Sequence, residues 1–188
     1  LLIVGGAPMD PTTLKGFRSM GIEILQGYGL TETAAVIAGE NDKYQDVGTV
    51  GLALPGTDIE IDDPDEDGIG EICVKGPSVM IGYVDDKKET NKVLVDGWFH
   101  TGDIGTLSKD GYLFIKGRCK TMILGPSGQN IYPEALEAKL TNMPFVSECL
   151  IVEKEGKLIA LVYPDMRAMD EINIQKEDLQ GIMDENKK

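Results

Sequence analysis

Ile22-Glu23-Ile24-Leu25-Gln26-Gly27-Tyr28-Gly29-Leu30-Thr31-Glu32 is the stretch on which the reading of this chain turns. Residues 22–25 predict a strand, and the glycines after it predict a turn that takes the backbone out of the sheet. Thr31 and Glu32 are then expected to open an Ala-rich helix over about residues 32–38, Thr-Glu being ordinary first-turn chemistry. Upstream, Leu1-Leu2-Ile3-Val4 predicts a buried strand running into Gly5-Gly6. Asp10-Pro11 predicts a helix start, because Asp caps free N–H groups and Pro suits the first helical position. Leu14 and Phe17 share the face of that helix, and Gly21 is its expected stop. Strand, helix, strand is the unit of an α/β sheet.

The pattern changes from residue 47 onward. Short apolar or alternating runs at 58–62, 71–75, 79–83 and 112–116 are separated by turn signals such as Asp67-Gly68, Gly76-Pro77 and Asp110-Gly111. They predict an antiparallel β subdomain over about 47–117, with one helix near 85–94. Lys116-Gly117-Arg118-Cys119-Lys120 reads as a boundary. Beyond it come a strand (121–124), a glycine loop (125–130), a helix opened by Pro133, and two strands (148–154 and 157–163) joined tightly at Glu155-Gly156. The expected organisation is therefore residues 1–117 as the end of a larger α/β domain, followed by a small α+β domain from 118 to 188.

The chain has 188 residues, 41% of them hydrophobic, and a formal net charge of −14. That composition is globular, and the negative charge argues against a broad nucleic-acid or anionic-membrane surface, which would need a basic field. No apolar run has the length of a membrane span. Cys73, Cys119 and Cys149 form no CxxC pair, and no sequence-local His/Cys cluster offers zinc ligands. Reduced thiols in a cytoplasmic protein are expected. His100, the single histidine, has no Ser or Cys partner in triad context and reads as structural.

Chemistry concentrates in two places. In residues 26–32 the glycines permit close approach of backbone to a ligand, Tyr28 offers a flat face for a purine, Thr31 a hydroxyl near a helix N-terminus, and Glu32 a hard oxygen ligand suited to magnesium. The same residues also make an ordinary glycine turn and capped helix. Downstream, Thr101-Gly102-Asp103 is followed by Ile115-Lys116-Gly117-Arg118. An ionised Asp103 accepts two hydrogen bonds at once, which suits neighbouring ribose hydroxyls, and Arg118 supplies a fork of donors for ribose or phosphate oxygens. Each also has a plain reading, as a turn aspartate and a surface charge. Lys116, Arg118 and Lys120 are a basic cluster in an acidic chain, for phosphates or simply for solvent.

Taken together the segments resemble the adenylate-forming superfamily of acyl-CoA synthetases, luciferases and peptide-synthetase adenylation domains. The resemblance runs from Val4 to about Pro164. Gly5-Gly6-Ala7-Pro8 resembles the adenine-side glycine turn, Gly27-Tyr28-Gly29-Leu30-Thr31-Glu32 the xGYGxTE motif, and Thr101-Gly102-Asp103 the TGD motif. Gly117-Arg118-Cys119-Lys120 resembles the interdomain hinge, and Gly128-Gln129-Asn130-Ile131-Tyr132-Pro133-Glu134 the GxNIxPxEIE segment, although Gly125-Pro126-Ser127 replaces the commoner double glycine before it.

The resemblance implies a nucleotide site built from Gly5, Gly6, Ala7, Gly27, Tyr28, Gly29, Thr31, Asp103, Ile115 and Arg118. It implies Tyr28 on adenine, Thr31 at the α-phosphate, Glu32 on Mg²⁺, Asp103 on the ribose, Lys120 in the hinge, and Gly128 in a mobile loop serving the thioester step. The implied reaction joins a carboxylic acid, a fatty acid by family impression, to CoA through acyl-AMP, with ATP and CoA as substrates. Alternatives are an acyl-AMP ligase or adenylation domain that loads a carrier protein, and a non-catalytic AMP-binding module. Two family elements are not found in residues 1–188: the Ser/Thr/Gly-rich phosphate loop and the lysine that drives adenylation. Gly156-Lys157 imitates the latter's context but reads as a hairpin turn. With an apolar strand at residue 1 and no initiator Met, the expectation is a piece of a longer enzyme that does not turn over alone.

Overall fold

The structure is a computed structural model of the chain, and it describes residues 2–6, 9–41, 48–125 and 128–171. They fall into two compact units that divide between Met122 and Ile123.

The first unit opens with β1 (Leu2–Val4), α1 (Pro11–Ser19) and β2 (Ile24–Leu30). Asp10 caps α1 by accepting the Thr13 N–H at 2.8 Å, Pro11 is its first residue, and Leu14 is fully buried. β1 and β2 pair in parallel, as a strand–helix–strand crossover requires. Leu2 and Ile3 are exposed rather than buried. In a sheet that runs β1-β2-β3-β4, β1 is the edge, and its side chains have a neighbour strand on one side only.

Two expectations fail next. The glycine segment does not leave the sheet: residues 26–30 are the second half of β2. The Ala-rich helix does not form either. Thr31–Thr33 make a single 3₁₀ turn, after which β3 (Ala35–Gly39) runs back antiparallel to β2. Val36 and Ile37 are β-branched and favour the pleated surface. Ala34 and Ala35 hold φ of 50° and 115°, which closes the reversal that a helix would have carried forward. Gly29 makes the closeness possible: a Cβ there would lie 1.7 Å from the Ala35 carbonyl oxygen.

β3 pairs with β4 (Leu52–Ala53). The second sheet holds β5 (Asp58–Asp62), β6 (Gly70–Lys75), β7 (Leu94–Val95), β8 (Trp98–Leu107) and β9 (Leu113–Arg118), in the order β5-β6-β8-β7 with β9 also on β8. It is antiparallel throughout, as the turn signals imply. The expected helix is α2 (Lys87–Val93), capped by Asp86. No strand forms at 79–83: Ile81 is fully exposed, and the Met80 N–H donates to the Glu32 carbonyl at 2.7 Å. The core cluster joins the sheets, with Tyr28, Ile37 and Ala38 from the first packing against Ile72, Val74 and Leu113 from the second.

In the second unit β10 (Ile123–Leu124) pairs with β11 (Asn130–Ile131), and Pro133 opens α3 (Pro133–Thr141) as expected. β12 (Val146–Lys154) and β13 (Lys157–Pro164) form a hairpin whose turn residues Glu155 and Gly156 have φ of 55° and 75°. Paired positive φ is the twist-matched two-residue turn, so Lys157 is a hairpin residue. A short α4 (Met166–Glu171) follows.

Candidate functional site

Asp103 is the centre of a tightly held polar cluster in the first unit. It lies in the middle of β8, the longest strand, and not in a turn. Its carboxylate is 9% exposed and held from two sides. The Tyr28 hydroxyl donates to Oδ2 at 2.6 Å, and Arg118 Nε donates to Oδ1 at 2.8 Å. The register explains both partners. Asp103 pairs directly with Arg118 across β8 and β9. Tyr28 reaches it from β2 across the packed sheets.

Tyr28 is only 7% exposed, and its ring sits in the core cluster, so little face is left for the stacking role expected of it. Burial first, and the Asp103 charge second, push its phenol far above the ordinary tyrosine range. It is a fixed proton donor at every working pH. Arg118 is shifted upward too: its hydrogen bond to Asp103 holds its charge even more firmly. The pair gives Asp103 a permanently oriented carboxylate, each oxygen keeping lone-pair capacity for one more donor.

The flanking backbone is equally fixed. Thr101 Oγ1 donates to the Ile72 carbonyl at 2.7 Å and accepts the Asp103 N–H at 3.1 Å. Glu71 Oε1 accepts the Gly102 N–H at 2.8 Å, and the Cys119 N–H donates to the Gly102 carbonyl at 2.8 Å. Ile115, half-buried on β9, packs on the core cluster that contains Tyr28.

The other sequence-named residues divide by position. Gly5 follows β1 so closely beside β2 that a Cβ would lie 3.1 Å from the Gly27 carbonyl oxygen, which brings Gly5, Gly27 and Gly29 to one strip of backbone. Gly6 is exposed with φ of 89°. Ala7 and Pro8 lie outside the described residues. Thr31 is exposed in the 3₁₀ turn, so the helix N-terminus argued for it is absent and one helical turn supplies no macrodipole of consequence. Glu32, beside it, accepts a hydrogen bond from the Tyr83 hydroxyl at 2.9 Å. Lys120 is exposed in a turn that follows β9. Gly128 belongs to the second unit, where its N–H donates to the Gly125 carbonyl at 2.9 Å and its φ is 82°. Pro126 and Ser127 lie outside the described residues.

Sequence reading missed Glu71 and Tyr83. Glu71 is hidden because it is joined to Gly102 by strand register, 31 residues apart, and Tyr83 because it reaches Glu32 over 51.

Residues 1–84 match the profile of the family described as AMP-binding enzyme. Over those residues the chain is similar to the AMP-binding, adenylate-forming enzymes, and the curated relatives it matches include long-chain-fatty-acid–CoA ligases. It is 36% identical over 169 residues to the long-chain-fatty-acid–CoA ligase FadD15 of Mycobacterium bovis, with 89% of this chain and 27% of that protein covered. It is 34% identical over 183 residues to the long-chain-fatty-acid–CoA ligase FadD13 of Mycobacterium tuberculosis, covering 92% of this chain and 36% of that protein. Among solved structures it superposes with TM-score 0.79 and 32% identity on O-succinylbenzoate Coenzyme A synthetase (MenE) of Bacillus subtilis, in complex with ATP and magnesium ion, over 87% of this chain and 36% of that one. The chain therefore spans about a third or less of the length of these relatives. Among the described residues no helix is long and apolar enough to cross a membrane.

Proposed function

We propose that this chain supplies the nucleoside side of an AMP-forming acyl-CoA ligase, one that activates a carboxylic acid, in our reading a fatty acid, and passes it to CoA. In that chemistry a carboxylate oxygen attacks the α-phosphorus of ATP, pyrophosphate departs, and the CoA thiol then displaces AMP from the acyl carbon. The observation that carries the proposal is the Asp103 carboxylate, buried yet charged, and held by Tyr28 and Arg118. A carboxylate so oriented is preorganised to accept a ribose diol, and orientation fixed before binding costs nothing when the ligand arrives.

The remaining roles follow from position. Gly5, Gly27 and Gly29 keep backbone bare of side chains beside Tyr28, Gly6 follows Gly5, and Ala7, outside the described residues, is proposed for the same nucleotide site. Arg118, 59% exposed, has donors to spare for ribose or phosphate oxygens. Ile115 lines the nucleoside from the core side. Thr31 offers its exposed hydroxyl to the α-phosphate. Glu32 presents a hard carboxylate whose chemistry fits Mg²⁺, and Tyr83 orients it from one side. Bound there, Mg²⁺ would offset phosphate charge. Lys120 stands where a hinge is proposed, and Gly128 in a loop proposed to serve thioester formation. The 188 residues alone are proposed to bind nucleotide weakly and to make no acyl-CoA. Free thiols at Cys73, Cys119 and Cys149 suit the cytoplasmic location proposed for it.

Calorimetric titration of AMP into the wild-type chain and into Asp103→Ala tests the proposal. A hydrogen bond to a charged group is worth roughly 1.5–3 kcal/mol, so the variant is expected to bind about 10–150-fold more weakly. Binding within twofold of wild type, with circular dichroism unchanged, would remove Asp103 from the nucleoside site.

A further inference from the structure

The face of the second sheet that turns away from the core carries a cluster that the AMP-binding reading does not use. Ile72 and Val74 of β6 point into the core cluster, so Glu71 and Cys73 between and beside them point to the other face. Register completes the group: Asp62 of β5 pairs with Glu71, and His100 of β8 pairs with Cys73. Cross-strand partners share a face, and the result is one carboxylate oxygen each from Asp62 and Glu71, the Cys73 sulfur and a His100 ring nitrogen, all within 4.8 Å of one another. The sequence showed no local His/Cys cluster, because these four residues meet only through strand pairing.

We propose that Asp62, Glu71, Cys73 and His100 form a binding site for a zinc-class divalent cation, structural in role, that clamps β5, β6 and β8 together. Three features of the cluster point this way. First, the separations suit a tetrahedral ion. Cys73 Sγ lies 3.3 Å and Glu71 Oε2 3.0 Å from His100 Nδ1, against about 3.3–3.6 Å between ligand atoms at ordinary zinc–nitrogen and zinc–sulfur bond lengths. Second, three electron-rich atoms crowd a single ring nitrogen, Asp62 Oδ2 being the third at 3.9 Å. One proton on Nδ1 satisfies one of them well, whereas a shared cation satisfies all. Third, the donors are graded as a metal site is. Cys73 is 1% exposed and supported by the sheet, and Asp62, 54% exposed, stands at the open side where an ion enters. Glu71 commits its second oxygen to the Gly102 N–H, the kind of outer hydrogen bond that orients a ligating carboxylate.

A mixed sulfur, nitrogen and oxygen set selects a borderline ion of the zinc type over magnesium or calcium. Binding displaces the thiol proton to buffer: the Cys73 S–H bond breaks, a sulfur–metal bond forms, and no oxidant is involved. Because the Cys73 thiol gives up its proton on binding, metal uptake is expected to be accompanied by proton release and to weaken as pH falls.

Cobalt(II), which reports thiolate ligation by an absorption band, is titrated into chelator-treated protein, and zinc is then added in competition. We expect one equivalent of cobalt with a thiolate-to-metal band, displaced by zinc and not by magnesium. Cys73→Ser is expected to abolish the band. His100→Gln should weaken binding by at least about tenfold, Asp62→Asn should weaken it less, and Cys149→Ser should leave it intact. The wild-type titration decides first and needs no variant to fold. Absence of stoichiometric cobalt binding overturns the site, as does a band that survives Cys73→Ser or displacement by magnesium as readily as by zinc.

Discussion

Replacing Tyr28 by Phe removes one oxygen and tests the ranking of the two bonds that hold Asp103. The carboxylate is 9% exposed, and the Tyr28 bond at 2.6 Å is short and charge-assisted. Its loss strands a buried charge with one donor fewer, for a cost of roughly 1.5–3 kcal/mol. The Arg118 bond is nearly as short at 2.8 Å, but that side chain is 59% exposed. Solvent competes for it, and an exposed ion pair is worth about 0.2–1 kcal/mol. Tyr28→Phe should therefore cost more than Arg118→Gln, although the arginine carries the formal charge. The single tryptophan, Trp98, opens β8 and reports the first unit in urea unfolding. With a slope of about 1–3 kcal/mol per molar urea, a loss of about 2 kcal/mol moves the midpoint by roughly 0.7–2 M. A cycle with Asp103→Asn isolates the coupling: Tyr28→Phe should cost much less once the charge is gone. If Arg118→Gln costs as much as Tyr28→Phe, or Tyr28→Phe moves stability by less than about 0.5 kcal/mol, burial does not rank these bonds and the reasoning fails.

Gly29→Ala would place a methyl 1.7 Å from the Ala35 carbonyl oxygen, so it should destabilise the first unit by more than the usual 1–3 kcal/mol of overpacking. Gly27→Ala meets the Val36 side chain at 3.4 Å and the Ala38 carbonyl oxygen at 3.6 Å, both ordinary contacts, and should cost far less; equal urea midpoints for the two would refute the close approach. Because the folded Tyr28 phenol titrates above the unfolded value of about 10, its stabilising contribution is complete below that pH and declines as pH rises past it. Absorbance titration of the six tyrosines should thus leave one silent until unfolding, and Tyr28→Phe should lose less stability than wild type on going from pH 9 to 11; six phenolates appearing together in a folded protein would contradict this. In the acyl-CoA ligase proposed above, Gly128→Leu puts a branched side chain at a φ of 82°, and it is expected to impair thioester formation far more than adenylate formation. Equal loss in separate assays of the two half-reactions would count against the loop's proposed role.

What the sequence made legible was punctuation. Asp10-Pro11, Gly21, Asp110-Gly111 and Glu155-Gly156 each mark an end that the structure keeps, because a cap or a positive φ is decided within a few residues. Residues 34–38 went the other way. Alanine content argued for a helix, but the outcome was set by Val36 and Ile37 and by Gly29, whose missing side chain lets β3 fold back on β2. β8 was unreadable as a ten-residue strand because Gly102 and Gly105 break up its pattern. The Asp103 residue could be picked out by type, yet Tyr28 as its partner could not, since nothing local links the two. The same holds for Asp62, Glu71, Cys73 and His100, which register alone assembles.

The bond between Tyr28 and Asp103 spans 75 residues, and this has a consequence for the order in which the protein is made. Closing so long a loop carries an entropic cost before any contact rewards it, and topologies rich in such contacts fold slowly. β12 and β13, by contrast, meet across two residues and form as a local hairpin. On the ribosome, at about 5–20 residues per second, β2 waits roughly 4–15 s for β8 to be synthesised. During that interval the strand holding Tyr28 has lost its second layer, and its apolar face is open to nascent-chain chaperones or to a neighbouring chain. The later half of the molecule has no such delay built into its longest pairing.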